Sequence, residues 1–248
     1  MDALARLRSS PATTAIFLDF DGTLAPIVAA AEDARPLPGV PELLLQLDAT
    51  FGVLAIVSGR PVAFLAEQLP AAVELHGLYG LEASVAGVPA QHPDALAWQS
   101  VVDDVVAAVR ADGPAGLDVE PKGLSLTLHF RRHPDIAEAA SAWATSAAER
   151  SGLELRTAKM SLELHPPLAV DKGTVVEARA AGMTAACYIG DDRGDLPAFA
   201  ALDRLAAAGL AAVKVAVLTP DADPELLGQA DEQVAGPAGA VAFLRDLL

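Results

Sequence analysis

Cysteine is nearly missing from this 248-residue chain; Cys187 is the only one. A lone cysteine excludes an internal disulfide framework and fits a reducing compartment. It lies in the apolar run 185–189 (AACYI) and reads as core rather than as a reactive thiol. Basic residues are also scarce, 17 against 33 acidic ones, giving a formal charge of −16. That balance argues against nucleic acid or an anionic membrane surface as the main partner. It does not forbid an anionic small molecule, because a bound cation inverts the field locally. The longest apolar run, 205–213, falls far short of the roughly 20 residues that span a bilayer. The opening MDALARLRSS lacks the apolar stretch of a signal peptide, so a cytoplasmic location is expected. The five histidines are scattered without zinc-ligand spacing. No G-x-G-x-x-G follows the first apolar run, which argues against a dinucleotide module. Oligomeric state is left open, with a monomer favoured.

What the chain does have is 52% hydrophobic residues, enough for one large domain or two modest ones. Short apolar runs at 15–20 (AIFLDF), 53–57 (VLAIV), 73–76, 185–189 and 213–218 alternate with helical patterns at 37–50, 61–69 and 196–208. That alternation predicts βαβ units around a buried parallel sheet. The middle of the chain differs. A helix pattern at 94–111 precedes two strand-like runs, 117–121 and 124–130, with Lys122-Gly123 as the turn between them. A second helix at 135–151 precedes runs at 153–156 and 161–165. Closely spaced strand pairs favour antiparallel hairpins. The expected fold is therefore α/β: a Rossmann-like parallel-sheet core at 1–91 and 169–248, interrupted by an αββαββ insert at 92–168. Trp98 and Trp143 fall in the helix patterns of that insert and read as packing residues.

The chemistry collects at predicted strand ends, where open parallel sheets bind ligands. The first strand runs into FLDFDGTL, so Asp19 and Asp21 face each other's charge. Ser58 follows the second strand, Lys172 opens a helix in VDKGTVV, and a later strand runs into GDDRGD, with Asp191, Asp192 and Asp195. Alone, either acidic stretch reads equally well as a turn with an aspartate cap. Together they predict up to five carboxylates on one rim. An oxygen-rich, thiol-free set suits a hard cation such as Mg2+, whose shell a phosphate completes.

FLDFDGTL resembles the D-x-D-G-T motif of the haloacid dehalogenase superfamily of phosphohydrolases. Ser58-Gly59-Arg60, Lys172 and GDDRGD resemble its later motifs, in the right order. A narrower resemblance spans nearly the whole chain, to trehalose-6-phosphate phosphatases. It rests on FLDFDGTLAPIV, VSGRP, HGLYGLE, VEPKGLSLTLHFR, LELHPPLAVDKG and GDDRGD. His165 stands where that family usually has Arg or Lys, and Gly194-Asp195-Leu196 where it has T-D-E.

The resemblance implies Mg2+-dependent hydrolysis of trehalose 6-phosphate in trehalose biosynthesis, through an aspartyl-phosphate on Asp19. Asp19 and Asp191 would hold the metal by side chains and Asp21 by its backbone carbonyl. Asp21, its carboxyl left free, would be general acid and then base. Gly22, Thr23, Gly59 and Arg60 would line the phosphate site, with Ser58 and Lys172 gripping the transferring group. Asp192 and Asp195 would stand behind, orienting Lys172 or metal waters; Asp195 reads equally as a helix cap. The insert resembles the family's cap, and its closure would exclude water. There Glu120, Lys122 and Glu163 would meet sugar hydroxyls. His129 and Arg131, read as sharing one strand register with Thr127, would support them. A phosphatase for sucrose phosphate or a glycosyl-glycerate phosphate is the alternative, and a non-catalytic sugar-phosphate sensor the outside one.

Overall fold

In chain order the strands are β1 (Thr14–Leu18), β2 (Val53–Val57), β3 (Glu74–Gly77), β4 (Glu82–Val85), β5 (Val88–Gln91), β6 (Asp118–Pro121), β7 (Leu126–His129), β8 (Glu154–Ala158), β9 (Ser161–His165), β10 (Ala185–Gly190), β11 (Ala211–Leu218) and β12 (Glu232–Ala235). The helices are α1 (Ala3–Ser9), α2 (Val40–Thr50), α3 (Val62–Gln68), α4 (Gln99–Asp112), α5 (Ala137–Ser151), α6 (Lys172–Arg179), α7 (Leu196–Ala207), α8 (Pro224–Gln229) and α9 (Gly236–Leu247). The computed structural model describes residues 3–28, 30–158, 160–220 and 222–248. The chain divides into two units, Met1–Ala90 with Val170–Leu248, and Gln91–Ala169.

The first unit is built on an eight-stranded sheet of order β12-β11-β10-β1-β2-β3-β4-β5. The six strands from β12 to β3 run parallel, and β4 turns back antiparallel on β3. β1 and β10 are buried at every residue, which is why they read as unbroken apolar runs. Alternation sends Ile16 and Leu18 to one face, where Leu44, Leu47 and Leu244 of α2 and α9 cover them. Ala15 and Phe17 go to the other face, against Val176 and Phe199 of α6 and α7. Each such large side chain, fully buried, contributes about 1.5–3 kcal/mol.

The second unit runs α4-β6-β7-α5-β8-β9, with an antiparallel sheet of order β6-β7-β9-β8. One sheet face carries Leu126, Leu128, Leu162 and Leu164 and packs on the valines of α4 and the alanines of α5. Alternation then sends Glu120, Thr127, Glu163 and Arg156, which are direct cross-strand partners, to the opposite face as one transverse row.

Several boundaries differ from the sequence expectation. β1 stops at Leu18, so Asp19 stands just beyond the strand rather than inside it. The helix pattern at 94–111 begins as a 3-10 turn, Pro93–Trp98, and becomes an α-helix only from Gln99. β4, β5 and β12 were not expected. They are short strands with no buried face; β5 and β12 are the two edges of the sheet, and Pro89 is tolerated in β5 for that reason.

Candidate active site

Parallel neighbours end at the same rim, and the order β11-β10-β1-β2 brings four strand ends side by side. Asp19 is the first residue past β1, Ser58 past β2, Asp191 past β10 and Thr219 past β11. Asp19 is buried, its N–H donating to Ile189 O (2.9 Å). Lys172, buried at the first turn of α6, donates from Nζ to Asp19 Oδ1 (2.7 Å) and Asp195 Oδ1 (2.6 Å). Asp195 Oδ1 also accepts from Tyr188 Oη (2.6 Å), and its Oδ2 accepts the N–H groups of Asp191 (2.9 Å) and Asp192 (3.2 Å). A carboxylate with four donors is saturated and rigid, so Asp195 fixes Lys172 and the Asp191 backbone together. It therefore does more than cap α7, where it makes no side-chain cap bond.

Ligand oxygens of Asp19, Asp191 and Asp195 all lie within 4.8 Å of one another. Gly22 makes this crowding sterically feasible. Its φ is +75°, and a Cβ there would stand 2.1 Å from Asp191 Oδ2. At Gly190 a Cβ would stand 2.2 Å from Asp195 Oδ2. Burial pushes the Asp191 carboxyl up to about 8, reinforced by Asp195 and Asp192 and opposed by Lys172 and a hydrogen bond from Thr219 Oγ1 (3.3 Å). Burial likewise raises Asp19 well above the usual carboxylate range, with Lys172 pulling it back. Burial also works against the Lys172 charge, but Asp19 and Asp195 override it and hold the ammonium well above the ordinary lysine value. The cluster holds more carboxyl groups than one lysine could balance if all were ionised. Its hard oxygen donors, crowded and free of thiol or imidazole, fit a small divalent cation.

Ser58 is buried, and its Oγ accepts the Arg60 N–H (3.2 Å). Gly59 lies under the ring of Tyr79. Thr23 is fully buried, and its hydroxyl has no hydrogen-bond partner among the described residues. Asp192 Oδ1 accepts from Gly194 N (2.8 Å) and closes the turn; the contact to Lys172 is made by Asp195.

One expectation is corrected here. The Asp21 carboxyl is not free: Arg60 Nε and Nη2 donate to its two oxygens at 2.7 Å each. Arg60 also donates to Ala31 O (2.7 Å) and lies 4.5 Å from the Phe64 ring centroid. The rigid guanidinium fork matches both carboxylate oxygens, so Arg60 is first of all the partner of Asp21.

In the second unit Glu120 Oε2 and His129 Nε2 are 2.7 Å apart, Ser125 Oγ donates to Glu163 Oε1 (2.8 Å), and Lys122 Nζ stands 3.9 Å from Glu163 Oε2. Lys122 and Gly123 form the expected turn, with Lys122 N bonded to Ser125 O (2.9 Å). Thr127, between Glu120 and Glu163 in the row, is buried with its hydroxyl unpartnered among the described residues. Arg131 departs from its expected register: β7 ends at His129, and Arg131 is an exposed turn residue. Three contributors to the first unit's rim were not foreseen: Tyr188, Thr219 and Tyr79. A tyrosine in a wholly buried strand needs a partner for its hydroxyl, and Thr219 follows a strand end as Ser58 does; both signals were present in the sequence.

The model of the trehalose-phosphatase family matches residues 17–223. The chain belongs to the trehalose-phosphatase family. A trehalose-phosphate phosphatase of Mycobacterium leprae is 34% identical over 165 residues, covering 64% of this chain and 38% of that protein. One of Mycobacterium ulcerans is 33% identical over 202 residues, 76% of this chain and 51% of that protein. The chain thus spans about half or less of the length of these relatives. A trehalose-6-phosphate phosphatase related protein of known structure superposes with a TM-score of 0.78 at 25% identity, over 94% of this chain and 96% of that one. A haloacid dehalogenase-like hydrolase from Bacteroides thetaiotaomicron shares the fold, with a TM-score of 0.64 at 16% identity over 95% and 99% of the two chains.

Proposed function

We propose that this chain hydrolyses trehalose 6-phosphate to trehalose and phosphate with Mg2+ as cofactor. The observation that carries the reading is the buried Asp19–Lys172–Asp195 chain beside Asp191, in a member of the trehalose-phosphatase family. Asp19, Asp191 and the backbone carbonyl of Asp21 would hold the cation. When bound, Mg2+ supplies the positive charge that lets a carboxylate approach a phosphate monoester.

The remaining work falls to the chain's own groups. Lys172 fixes Asp19 Oδ1 and so orients the other oxygen for attack on phosphorus. The Asp19 Oδ–P bond forms as the P–O bond to the sugar breaks, and Asp21 delivers a proton to the departing sugar oxygen. Water then attacks the aspartyl phosphate, with Asp21 accepting its proton. Proton transfer of this kind contributes about 10²–10⁴-fold. Because Arg60 grips both Asp21 oxygens, Asp21 must exchange that partner before it can serve. Ser58 and Lys172 hold the transferring oxygens, with the Thr23 hydroxyl as a further donor. The second unit acts as the cap, where Glu120, Lys122 and Glu163 bind sugar hydroxyls.

The test is phosphate release from a panel of disaccharide and monosaccharide phosphates, with Mg2+ and after chelation. Mg2+-dependent turnover led by trehalose 6-phosphate is expected. Preference for sucrose phosphate or a glycosyl-glycerate phosphate would replace the substrate, and binding without any release would leave a sensor.

A further inference from the structure

Leu78 and Tyr79 are consecutive non-glycine residues in left-handed backbone, with φ of 49° and 60°. Strain of this kind persists only where the surroundings impose it, and it clusters at functional sites. The surroundings here are the Ser58–Arg60 turn. Tyr79 N donates to Ser58 O (3.0 Å), Leu78 N to Arg60 O (3.0 Å), and Ser58 N to His76 O (2.9 Å). The strained segment is therefore the template on which that turn is shaped. The Tyr79 ring completes the grip. A Cβ on Gly59 would stand 2.8 Å from Tyr79 Cζ and Oη, so the ring lies directly on the turn. A Cβ on Gly194 would stand 3.7 Å from Tyr79 Cε1, so the same ring also borders the turn that follows Asp191.

We propose that Tyr79 is a positioning residue for phosphoryl transfer: its ring and strained backbone hold the Ser58–Arg60 turn in register with the Asp191–Gly194 turn. The inference rests on the reading of Ser58 as a phosphate-gripping group and Asp191 as a cation ligand. In this reading Tyr79 acts through the two turns rather than on the reacting atoms. It acts by fixing the distance between two groups that must act on one phosphoryl centre, and a misplacement near 1 Å costs such a centre about 10²-fold.

The experiment uses the full chain and the variants Tyr79→Gly, Tyr79→Phe, Gly59→Ala and the double variant Tyr79→Gly/Gly59→Ala. Glycine adopts the required φ without strain, so Tyr79→Gly removes the ring while permitting the backbone path. For Tyr79→Gly, kcat should fall at least about tenfold on trehalose 6-phosphate and on p-nitrophenyl phosphate alike, with KM changed less than about threefold. The metal-free Tm should stay close to that of the parent chain. Tyr79→Phe, which keeps the ring, should retain kcat within about threefold. Gly59→Ala drives a methyl into the ring and should also lower kcat. The double variant should lose no more than the worse single one, because both changes uncouple the same turn. A Tyr79→Gly kcat equal to the parent's, a loss that tracks a collapsed Tm, an equal loss in Tyr79→Phe, or full additivity in the double variant would each overturn the proposal. If the parent chain releases no phosphate from any ester in Mg2+, the underlying reading has failed; parental turnover with an unaffected Tyr79→Gly variant condemns the positioning role alone.

Discussion

The two units each carry a polar assembly, and the two are built on opposite terms. On the first, the central ion chain is tightly bonded: Lys172 makes two contacts under 2.8 Å, and Asp195 accepts from four donors. On the second, the row across β6, β7, β9 and β8 mixes short contacts, Glu120–His129 at 2.7 Å and Ser125–Glu163 at 2.8 Å, with a long one and an unmade one. Lys122 stands 3.9 Å from Glu163, the Glu120–His129 pair is about a third exposed, and the Thr127 hydroxyl is unpartnered among the described residues. The contrast follows from the tasks proposed for them. A group that strikes phosphorus needs fixed geometry before substrate arrives. Groups that bind a neutral polyol gain most if their hydrogen bonds are completed by the ligand.

The sharpest break of that comparison is Asp19→Asn. It should lower kcat on the order of 10⁴-fold or more on every phosphate ester, with folding retained by circular dichroism; turnover at the parental rate from a verified sample would falsify the nucleophile assignment. Glu120→Ala should act selectively. We expect kcat/KM for trehalose 6-phosphate to fall about 10–100-fold, the loss of one to two charge-assisted hydrogen bonds, while p-nitrophenyl phosphate is hardly affected. Equal losses on both substrates would show that the row does not read sugar.

A third change stays within the first unit. Glu74 on β3 accepts from Arg179 Nη2 at 2.7 Å and pairs with His76, tying the far end of α6 to the sheet. Glu74→Gln should cost about 1–2 kcal/mol, discounted because Arg179 is over a third exposed, a Tm fall of about 3–6 °C. Burial raises the Glu74 pKa, but its hydrogen bonds to His76 and Arg179 outweigh this and leave it below 4.5. That stability is therefore present above pH 4.5 and lost as pH falls through the lowered value. An unchanged acid limb in Glu74→Gln would remove this account.

The last effect is the linkage of cation and proton. Asp191 holds its proton to about pH 8, against an ordinary value of 3.8. A carboxyl that binds its proton more tightly when folded stabilises below 3.8, and that contribution is lost as pH rises toward 8. The metal-free chain should thus lose Tm steadily across this window. Mg2+, which replaces the proton, should raise Tm more at pH 8 than at pH 5; equal gains at both would contradict the cluster's charge balance.

Much of the fold was legible because buried parallel strands leave an unmistakable mark: VLAIV and AACYI are apolar at every position, and their helices carry apolar stripes. The edges were not legible, since EASV forms a strand only because β3 offers it a partner, and VPAQ only because EASV then does. Within the site, the motif residues announced themselves by type and order. The grip of Arg60 on Asp21 did not, because nothing in S-G-R says where the guanidinium turns. Arg131 was misread because the alternating pattern of LSLTLHFR continues past the point where β7 loses its neighbour.

By itself the sequence determined which atoms are available: carboxylates, one lysine and hydroxyls at strand ends, glycines where a Cβ could not fit, and scarcely any thiol. Tertiary structure alone decided which carboxylate meets which cation, that Asp195 is saturated while Asp21 is clamped, and that Tyr79 lies over Gly59. The reason is range. Residue type and local periodicity act over a few neighbours, whereas an ion pair between positions 153 residues apart exists only once the fold has set the end of β1 against the first turn of α6.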